Sequence, residues 1–540
     1  MDSEAEEISI GHERSGQRSA VKVNAQLQAV APPAPPPFQA IADLVRQHAA
    51  ARPRQRALVQ GERSVTWGQL DAMVDRVAAS LQRDGVKPQQ RIAICGANSL
   101  EYVAVFLGGL RAGVAVAPLP TSALPAQQAT MLADSGARHF FVDRTVPPFE
   151  SSARRIFLDG SSRPSLEHWL APAGARPEPV TVQPDWAFNI IYSSGTTGTP
   201  KGIVQPHGMR WGHVARAESY GYGPDAVTLI ATSLCSNTTL VCFFPTIAKG
   251  GCVVLAPPKF DAATYLQIAE RERVTHTMLV PVQYQRLMAL PQFDGFDLSP
   301  FHMKFCTSAP FHAELKTDIL RRWPGGLVEF YGMTEGGGSC ILEAHRYPDK
   351  LHTVGQPAEG HDMRVIDEHE RELPRGAVGE VVGRSGSMMT AYNNQPGLTR
   401  AAEWYDAGGN RFIRTGDVGR FDEHGFLTLM DRRKDMVISG GFNIYPSDLE
   451  AVLRQHPGVA DAAVVGVPST EWGETPVAFV VAAADAPSEA ELRDWANRQL
   501  GKTQRLSDIC YIAELPRSDI GKVLKRELRE RYAAMRPIAR

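Results

Sequence analysis

From Phe38 onward, segments with a strand period and segments with a helix period take turns, and this alternation narrows the possible folds more than any other feature. Thr66-Trp67-Gly68-Gln69 is a capping box, in which a hydroxyl and a glutamine amide exchange hydrogen bonds with backbone groups at a helix start. Leu70, Met73, Val74, Val77, Ala78 and Leu81 follow at helical spacing, and Gly85 closes the run. Residues 91–95 then read as a strand, 101–110 as an apolar helix and 114–119 as another strand. Further strands are expected at 187–192, 227–233, 277–280, 303–308 and 327–330. Parallel strands need a long crossover, usually a helix, so repeated strand–helix–strand units predict an α/β fold with a parallel, helix-covered sheet.

The texture changes near Phe412. Residues 412–421 and 425–430 alternate as a hairpin around Asp422-Glu423-His424, and the charged cluster Asp431-Arg432-Arg433-Lys434-Asp435 follows. A helix at 447–454, strands at 461–467 and 475–481, a helix at 489–500, a strand and a last helix then make a compact α+β unit of domain size. The boundary is placed in the charged cluster, giving a large domain over 38–433 and a smaller one over 434–540. Residues 1–37 begin acidic, stay polar and end in Ala31-Pro32-Pro33-Ala34-Pro35-Pro36-Pro37, which reads as a disordered, proline-rich leader.

At 540 residues the chain is long enough for a large core in more than one domain. A net charge of −2 gives no electrostatic case for nucleic acid or an acidic membrane surface. No apolar run reaches the length of a membrane span. The seven cysteines include no C-x-x-C pair, so neither a disulfide framework nor a zinc site is indicated, and a cytoplasmic location is expected.

Behind the apolar run 187–192 stands Ser193-Ser194-Gly195-Thr196-Thr197-Gly198-Thr199-Pro200-Lys201-Gly202. Small residues let backbone N–H groups converge on an anion, hydroxyls add donors and Lys201 adds positive charge, so the loop suits a phosphate. It is no Walker A loop, because Lys201 follows proline rather than glycine. Gly501-Lys502-Thr503 fails the same motif, since Ala496 stands where its first glycine belongs. Gly221-Tyr222-Gly223-Pro224-Asp225-Ala226 resembles a dinucleotide fingerprint only loosely and leads into a strand instead of a helix, so it reads as an ordinary loop.

Five stretches in order carry a family resemblance: the 193–201 loop, Tyr331-Gly332-Met333-Thr334-Glu335, Arg414-Thr415-Gly416-Asp417, the 431–435 cluster with Gly440-Gly441-Phe442-Asn443, and Gly521-Lys522. Together they resemble the adenylate-forming enzymes, the superfamily of acyl- and aryl-CoA synthetases, peptide-synthetase adenylation domains and beetle luciferases. The resemblance implies a large N-terminal domain of mostly parallel sheets and a smaller, mobile C-terminal domain. It also implies ATP, Mg²⁺ and coenzyme A as ligands and a small carboxylic acid as substrate; a homodimer is left open. Ser193, Ser194, Gly195, Thr196, Thr197, Gly198 and Lys201 would hold the β- and γ-phosphates. Tyr331 would stack on adenine and Gly332 would belong to the ATP site, with Ser308, Ala309 and Pro310 bordering adenine and the acyl group; Thr334 would bond the α-phosphate and Glu335 would ligate Mg²⁺. Asp417 would accept the ribose hydroxyls, with Arg432 reaching ribose and phosphates. Lys522 would stabilise charge at the α-phosphorus, and Lys434 would be the hinge about which the C-terminal domain rotates between two half-reactions.

Ser439, Gly440, Gly441 and Phe442 resemble the version of their motif in acyl-CoA synthetases, whose glycines admit the pantetheine arm. A CoA ligase is therefore expected, ahead of an acyl-AMP ligase serving a carrier protein and of a nucleotide-binding regulator without turnover. The acid pocket departs from the family pattern. Cys235, Ser236 and Asn237 stand where many relatives carry an aromatic–His pair, and Thr307 and Ser308 where many carry glycines. Ser308 argues for a tighter pocket and Gly336-Gly337-Gly338 for more room, leaving short or branched, medium-chain and aryl acids open.

Overall fold

The computed structural model describes residues 36–193, 200–432, 434–439, 442–470, 472–501, 504–518 and 521–535, and the folded unit begins at Phe38. Most of the leader, the loop residues 194–199, Arg433, Gly440 and Gly441 thus lie outside the described residues.

Among the described residues the strands form four sheets. The nine-stranded sheet runs, edge to edge, Gln356–Pro357, Cys340–Glu343, Gly326–Tyr331, Met303–Cys306, His276–Leu279, Val227–Ile230, Cys252–Leu255, Arg56–Gln60 and Arg63–Thr66. From Gly326–Tyr331 to Arg56–Gln60 every neighbour is parallel, and antiparallel strands close both edges. The seven-stranded sheet runs Ala391–Tyr392, Lys201–Pro206, Ala187–Ser193, Ala115–Leu119, Arg91–Cys95, His139–Val142 and Arg154–Phe157, antiparallel only at its first two joins.

Helices Trp67–Arg83, Leu100–Arg111 and Asn237–Ala248 belong to one core with both sheets. Val74, Phe106 and Phe244 share a cluster with Ile92, Val116 and Phe188 of one sheet and Ile230 and Val253 of the other. Leu100–Arg111 is apolar nearly all round because both of its faces are covered. The capping box at Thr66 forms as expected: its hydroxyl accepts from Gln69 N at 3.3 Å, and its own N–H donates to Gln69 Oε1 at 2.9 Å.

An antiparallel sheet follows, with Asp362–Ile366, Gly379–Arg384, Arg411–Phe421 and Glu403–Tyr405 in order and Leu427–Arg432 paired to Arg411–Phe421. The hairpin around Asp422 is therefore present, but its second strand extends two residues past the expected end and takes in Asp431 and Arg432. The last sheet contains Phe442–Ile444, Val437–Ser439, Gly473–Ala482 and Val459–Ser469, with Asp508–Tyr511 parallel to Gly473–Ala482. Helices Pro446–Arg454 and Glu489–Gln499 pack on it around Leu449, Val464, Val480 and Leu492, a core separate from the others. The protein is thus a mixed α/β molecule with a large N-terminal domain of parallel sheets and a smaller C-terminal domain.

Candidate active site

Parallel strands end together, so the loops after their carboxyl ends face one crevice, where open α/β sheets bind ligands. Both large sheets contribute. In the seven-stranded sheet, Ser193 at the end of one strand pairs with Lys201 at the start of the next, which places both at the mouth of the hydroxyl-rich loop. In the nine-stranded sheet, Thr307–Pro310 follow Met303–Cys306 and Gly332–Glu335 follow Gly326–Tyr331. Thr307 fastens the two segments by donating its hydroxyl to Phe330 O at 2.7 Å.

Asp417 is the centre of one polar group. Tyr331 donates its hydroxyl to Asp417 Oδ2 at 2.8 Å, and Arg432 Nε lies 3.0 Å from Oδ1. The register explains the second contact: Asp417 and Arg432 are direct partners across the Arg411–Phe421 hairpin. Arg432 is therefore a positioned side chain rather than one more charge in a solvated run. Each Asp417 oxygen keeps a second lone pair for an incoming hydroxyl. Tyr331 is buried in a cluster with Met363, Val381 and Leu427, and burial raises its hydroxyl pKa far above the usual value.

Glu335 is the centre of the other. Its Oε1 accepts from the Tyr392 hydroxyl at 2.7 Å, and its carbonyl accepts from Met389 N at 2.8 Å. The Lys201 ammonium lies 5.3 Å from the Tyr392 ring centroid, so Tyr392 links the phosphate loop to the carboxylate. Tyr392 was not expected from sequence. It lies in the two-residue edge strand Ala391–Tyr392, too short for any periodicity to mark.

Lys522 reaches the same cleft from the C-terminal domain. It follows Gly521, whose backbone lies against Val282 of the large domain: a β-carbon built there would stand 3.1 Å from Val282 Cγ1, and φ is +76°. Loss of surrounding water pushes the Lys522 ammonium down to about 8. Arg432 and Lys434 push the same way, while Asp417 and Glu335 oppose them. Residues separated by more than a hundred positions thus share one electrostatic neighbourhood. Lys434 stands in the turn between Leu427–Arg432 and Val437–Ser439, and partial loss of water around its ammonium lowers its pKa as well.

The acid-side residues gather at the start of helix Asn237–Ala248. Ser236 caps it, accepting from Thr238 N at 3.2 Å, and Cys235 is a half-buried thiol that accepts from the Ser233 hydroxyl at 3.1 Å. Asn237 Oδ1 lies 3.4 Å from Gln205 Nε2, which also donates to Thr334 O at 2.6 Å. Thr238 and Ser308 join their hydroxyls at 2.5 Å. Ser308 holds φ of +83°, a conformation that costs a side-chain-bearing residue about 1–3 kcal/mol and explains why glycine suits this position. Gln205 and Thr238 are further residues that sequence reasoning missed, since each lies inside a regular element with nothing local to set it apart.

The glycines at 336–338 open no room, contrary to expectation. A β-carbon on Gly336 would collide with Ser387 O, one on Gly337 would stand 2.8 Å from Gly383 O, and one on Gly338 would strike the Met363 sulfur. Gly336 makes an antiparallel bridge to Met388, so these glycines admit neighbouring backbone. On the C-terminal domain, Ser439 ends a strand and Phe442 is exposed, while Gly440 and Gly441 lie outside the described residues. Of the phosphate loop, Ser194, Gly195, Thr196, Thr197 and Gly198 likewise lie outside them.

Residues 45–393 match the AMP-binding enzyme family, and residues 448–522 match the AMP-binding enzyme C-terminal domain. The chain belongs to this family. A feruloyl-CoA synthase of Amycolatopsis sp. is 33% identical over 494 residues, covering 90% of this chain and 98% of that protein. The long-chain-fatty-acid–CoA ligase FadD13 of Mycobacterium tuberculosis is 30% identical over 509 residues, covering 92% and 99%. The structure of ATP-bound MatB from Rhodopseudomonas palustris superposes with a TM-score of 0.81 at 28% identity, covering 92% of this chain and 99% of that one.

Proposed function

We propose that the protein is an ATP-dependent carboxylic acid–CoA ligase that works in two half-reactions. A carboxylate oxygen of the acid attacks the α-phosphorus of ATP; the new O–P bond forms as the bond to the β-phosphate oxygen breaks and pyrophosphate leaves. The thiol of coenzyme A then attacks the acyl carbon, AMP leaves and a thioester remains. The observation that carries this reading is the Tyr331–Asp417–Arg432 group of the large domain, together with the contact of Gly521 against Val282 that brings the Lys522 segment to that domain.

Phosphoryl transfer asks a protein mainly for position and charge. Asp417, oriented by Tyr331 and Arg432, receives the ribose. Thr334 stands beside the α-phosphate, and the hydroxyl-rich loop with Lys201 takes the departing phosphates. Lys522 directs its charge at the oxygens on which negative charge builds, where a preorganised donor acts most strongly. Glu335 fits Mg²⁺: it offers a hard carboxylate oxygen aligned by Tyr392. Such an ion draws most of its ligands from phosphate and water, so one protein carboxylate suffices. Bound there, Mg²⁺ supplies neutralising charge to the phosphates.

Coenzyme A is the acceptor in this reading, approaching the face that carries Ser439 to Phe442. Among the described residues no helix is long and apolar enough to cross a membrane. The decisive assay is carboxylate-dependent exchange of labelled pyrophosphate into ATP, followed by thioester formation with free CoA. Exchange without thioester would make a carrier-protein thiol the acceptor. No exchange with any acid of a broad panel would remove the ligase reading.

A further inference from the structure

Behind the Gln205–Asn237 contact lies a set of polar groups that the two half-reactions do not use. Arg210, on helix His207–Ala215, is 0% exposed. Its Nη2 donates to Gln205 Oε1, and among the described residues its Nε and Nη1 have no hydrogen-bond partner. Asn189 is also 0% exposed, and among the described residues neither of its amide atoms has a partner. The strand register makes Asn189 and Gln205 direct partners, so their side chains share one face. Nδ1 of His213, one turn along from Arg210, is a further buried atom with no partner among the described residues.

Such groups are rare in folded proteins because each forfeits hydration without replacement, and a guanidinium forfeits the most. The Phe188 ring, 5.8 Å from the Arg210 carbon, is a weak substitute for an anion. Among the described residues no carboxylate pairs with Arg210, and burial alone pushes its guanidinium down to about 9, so it remains a cation at neutral pH. These buried groups are joined to the acid side by hydrogen bonds. Gln205 joins Arg210 to Thr334 O and to Asn237 at the start of helix Asn237–Ala248, the two sides of the acid-binding region. An anion entering past Asn237 would meet the Arg210 cation, the Asn189 amide and that helix start together.

We infer that the acid this enzyme activates carries a second anionic group, a carboxylate at the end remote from the reacting one, and that Arg210 and Asn189 bind it. The inference rests on the ligase reading and names the substrate class of the same site. A dicarboxylic acid would present one carboxylate to the α-phosphorus beside Thr334 and Lys522 and leave the other paired with Arg210. A monocarboxylic acid of equal length would press a methyl group against an unpaired cation, the arrangement that buried polar sites reject most strongly.

The test compares matched pairs in the pyrophosphate-exchange assay: butanoate with butanedioate, hexanoate with hexanedioate, and benzoate with benzene-1,4-dicarboxylate. In the wild-type protein, the best diacid should exceed its monoacid partner in kcat/KM by about 100-fold or more. Arg210→Met should lower the diacid-to-monoacid ratio by at least about 30-fold with the KM for ATP unchanged, and Arg210→Lys should restore part of it. Asn189→Leu, which keeps the cation, should lower the ratio less. Preference for monoacids throughout the series, or a ratio that ignores Arg210→Met, would overturn the inference and leave the ligase reading intact. Failure of every acid, including a broad panel, would instead overturn the ligase reading itself. If Arg210→Met does not fold, the wild-type ranking decides alone.

Discussion

Asp417 and Lys522 carry opposite charges in one cleft, and the proposed roles separate them experimentally. Asp417→Ala should raise the KM for ATP about 10- to 100-fold, the loss expected for charge-assisted hydrogen bonds, with little change in acid ranking. An unchanged KM would take Asp417 out of the nucleotide site. Lys522→Ala should slow adenylate formation by about 10²–10³-fold, yet it should still make thioester from preformed acyl-adenylate. The ammonium adds a pH signature. Its protonated form is the active one and its pKa is held down to about 8, so adenylation should decline as pH rises through 8. Lys522→Arg, charged over the whole range, should flatten that decline even if its rate is lower; an unaltered pH profile would exclude Lys522 as its source.

At the scale of elements, two regular segments deliver the site. The strand Gly326–Tyr331 brings Tyr331 and Thr334 to the crevice, and Glu329 within it is buried and ion-paired to buried Lys316 at 2.5 Å. Lys316 also donates to Leu351 O at 2.7 Å, and burial holds the Glu329 carboxyl above the usual carboxylate range. Breaking such a pair from one side leaves an uncompensated charge, so Lys316→Met should destabilise the protein by about 3–5 kcal/mol in urea titration. A loss below about 1 kcal/mol would mean that the strand holds its place without the pair. Helix Asn237–Ala248 delivers the acid side through its first turn. Asn237→Ala should reorder the preferred acids and spare ATP affinity. Uniform loss across all acids would make Asn237 a structural residue instead.

At the scale of the molecule, the question is motion. In the proposed reaction Lys522 serves the cleft that holds Glu335 and Asp417, where the incoming thiol would also pass, so the second half-reaction would call for the small domain to turn. Lys434 stands at the joint: the preceding strand ends at Arg432 and the next begins at Val437. Ser447 N donates to Asp431 Oδ2 at 3.0 Å across the joint, and the Ser447 hydroxyl donates to Met430 O, contacts that rotation would have to release. Proline at 434 would fix φ near −65°. Lys434→Pro should therefore retain most adenylation while severely impairing thioester formation, the reverse of Lys522→Ala. Intact thioester formation in this variant would place the hinge elsewhere or remove the need for rotation.

The sequence by itself determined the alternation of elements and the chemistry of the short motifs, because both depend on neighbours in the chain. Periodicity places the helix at Trp67–Arg83 and the strands at Arg91–Cys95 and Gly326–Tyr331 to within a residue or a few of their observed ends. The Thr66 capping box involves groups only three residues apart, so it too was legible. Tertiary structure alone decided which distant side chains meet. Arg432 is tied to Asp417 by hairpin register, Tyr392 to Glu335 across 57 positions, and buried Arg210 to Gln205 of the neighbouring strand. The glycines at 336–338 are the plainest case. Sequence reports the missing side chains, but only the packed backbone of residues 383–387 and the Met363 side chain reveal that the space belongs to the protein. Local patterns fix local conformation, whereas the use made of a gap or a charge depends on contacts that no short-range pattern encodes.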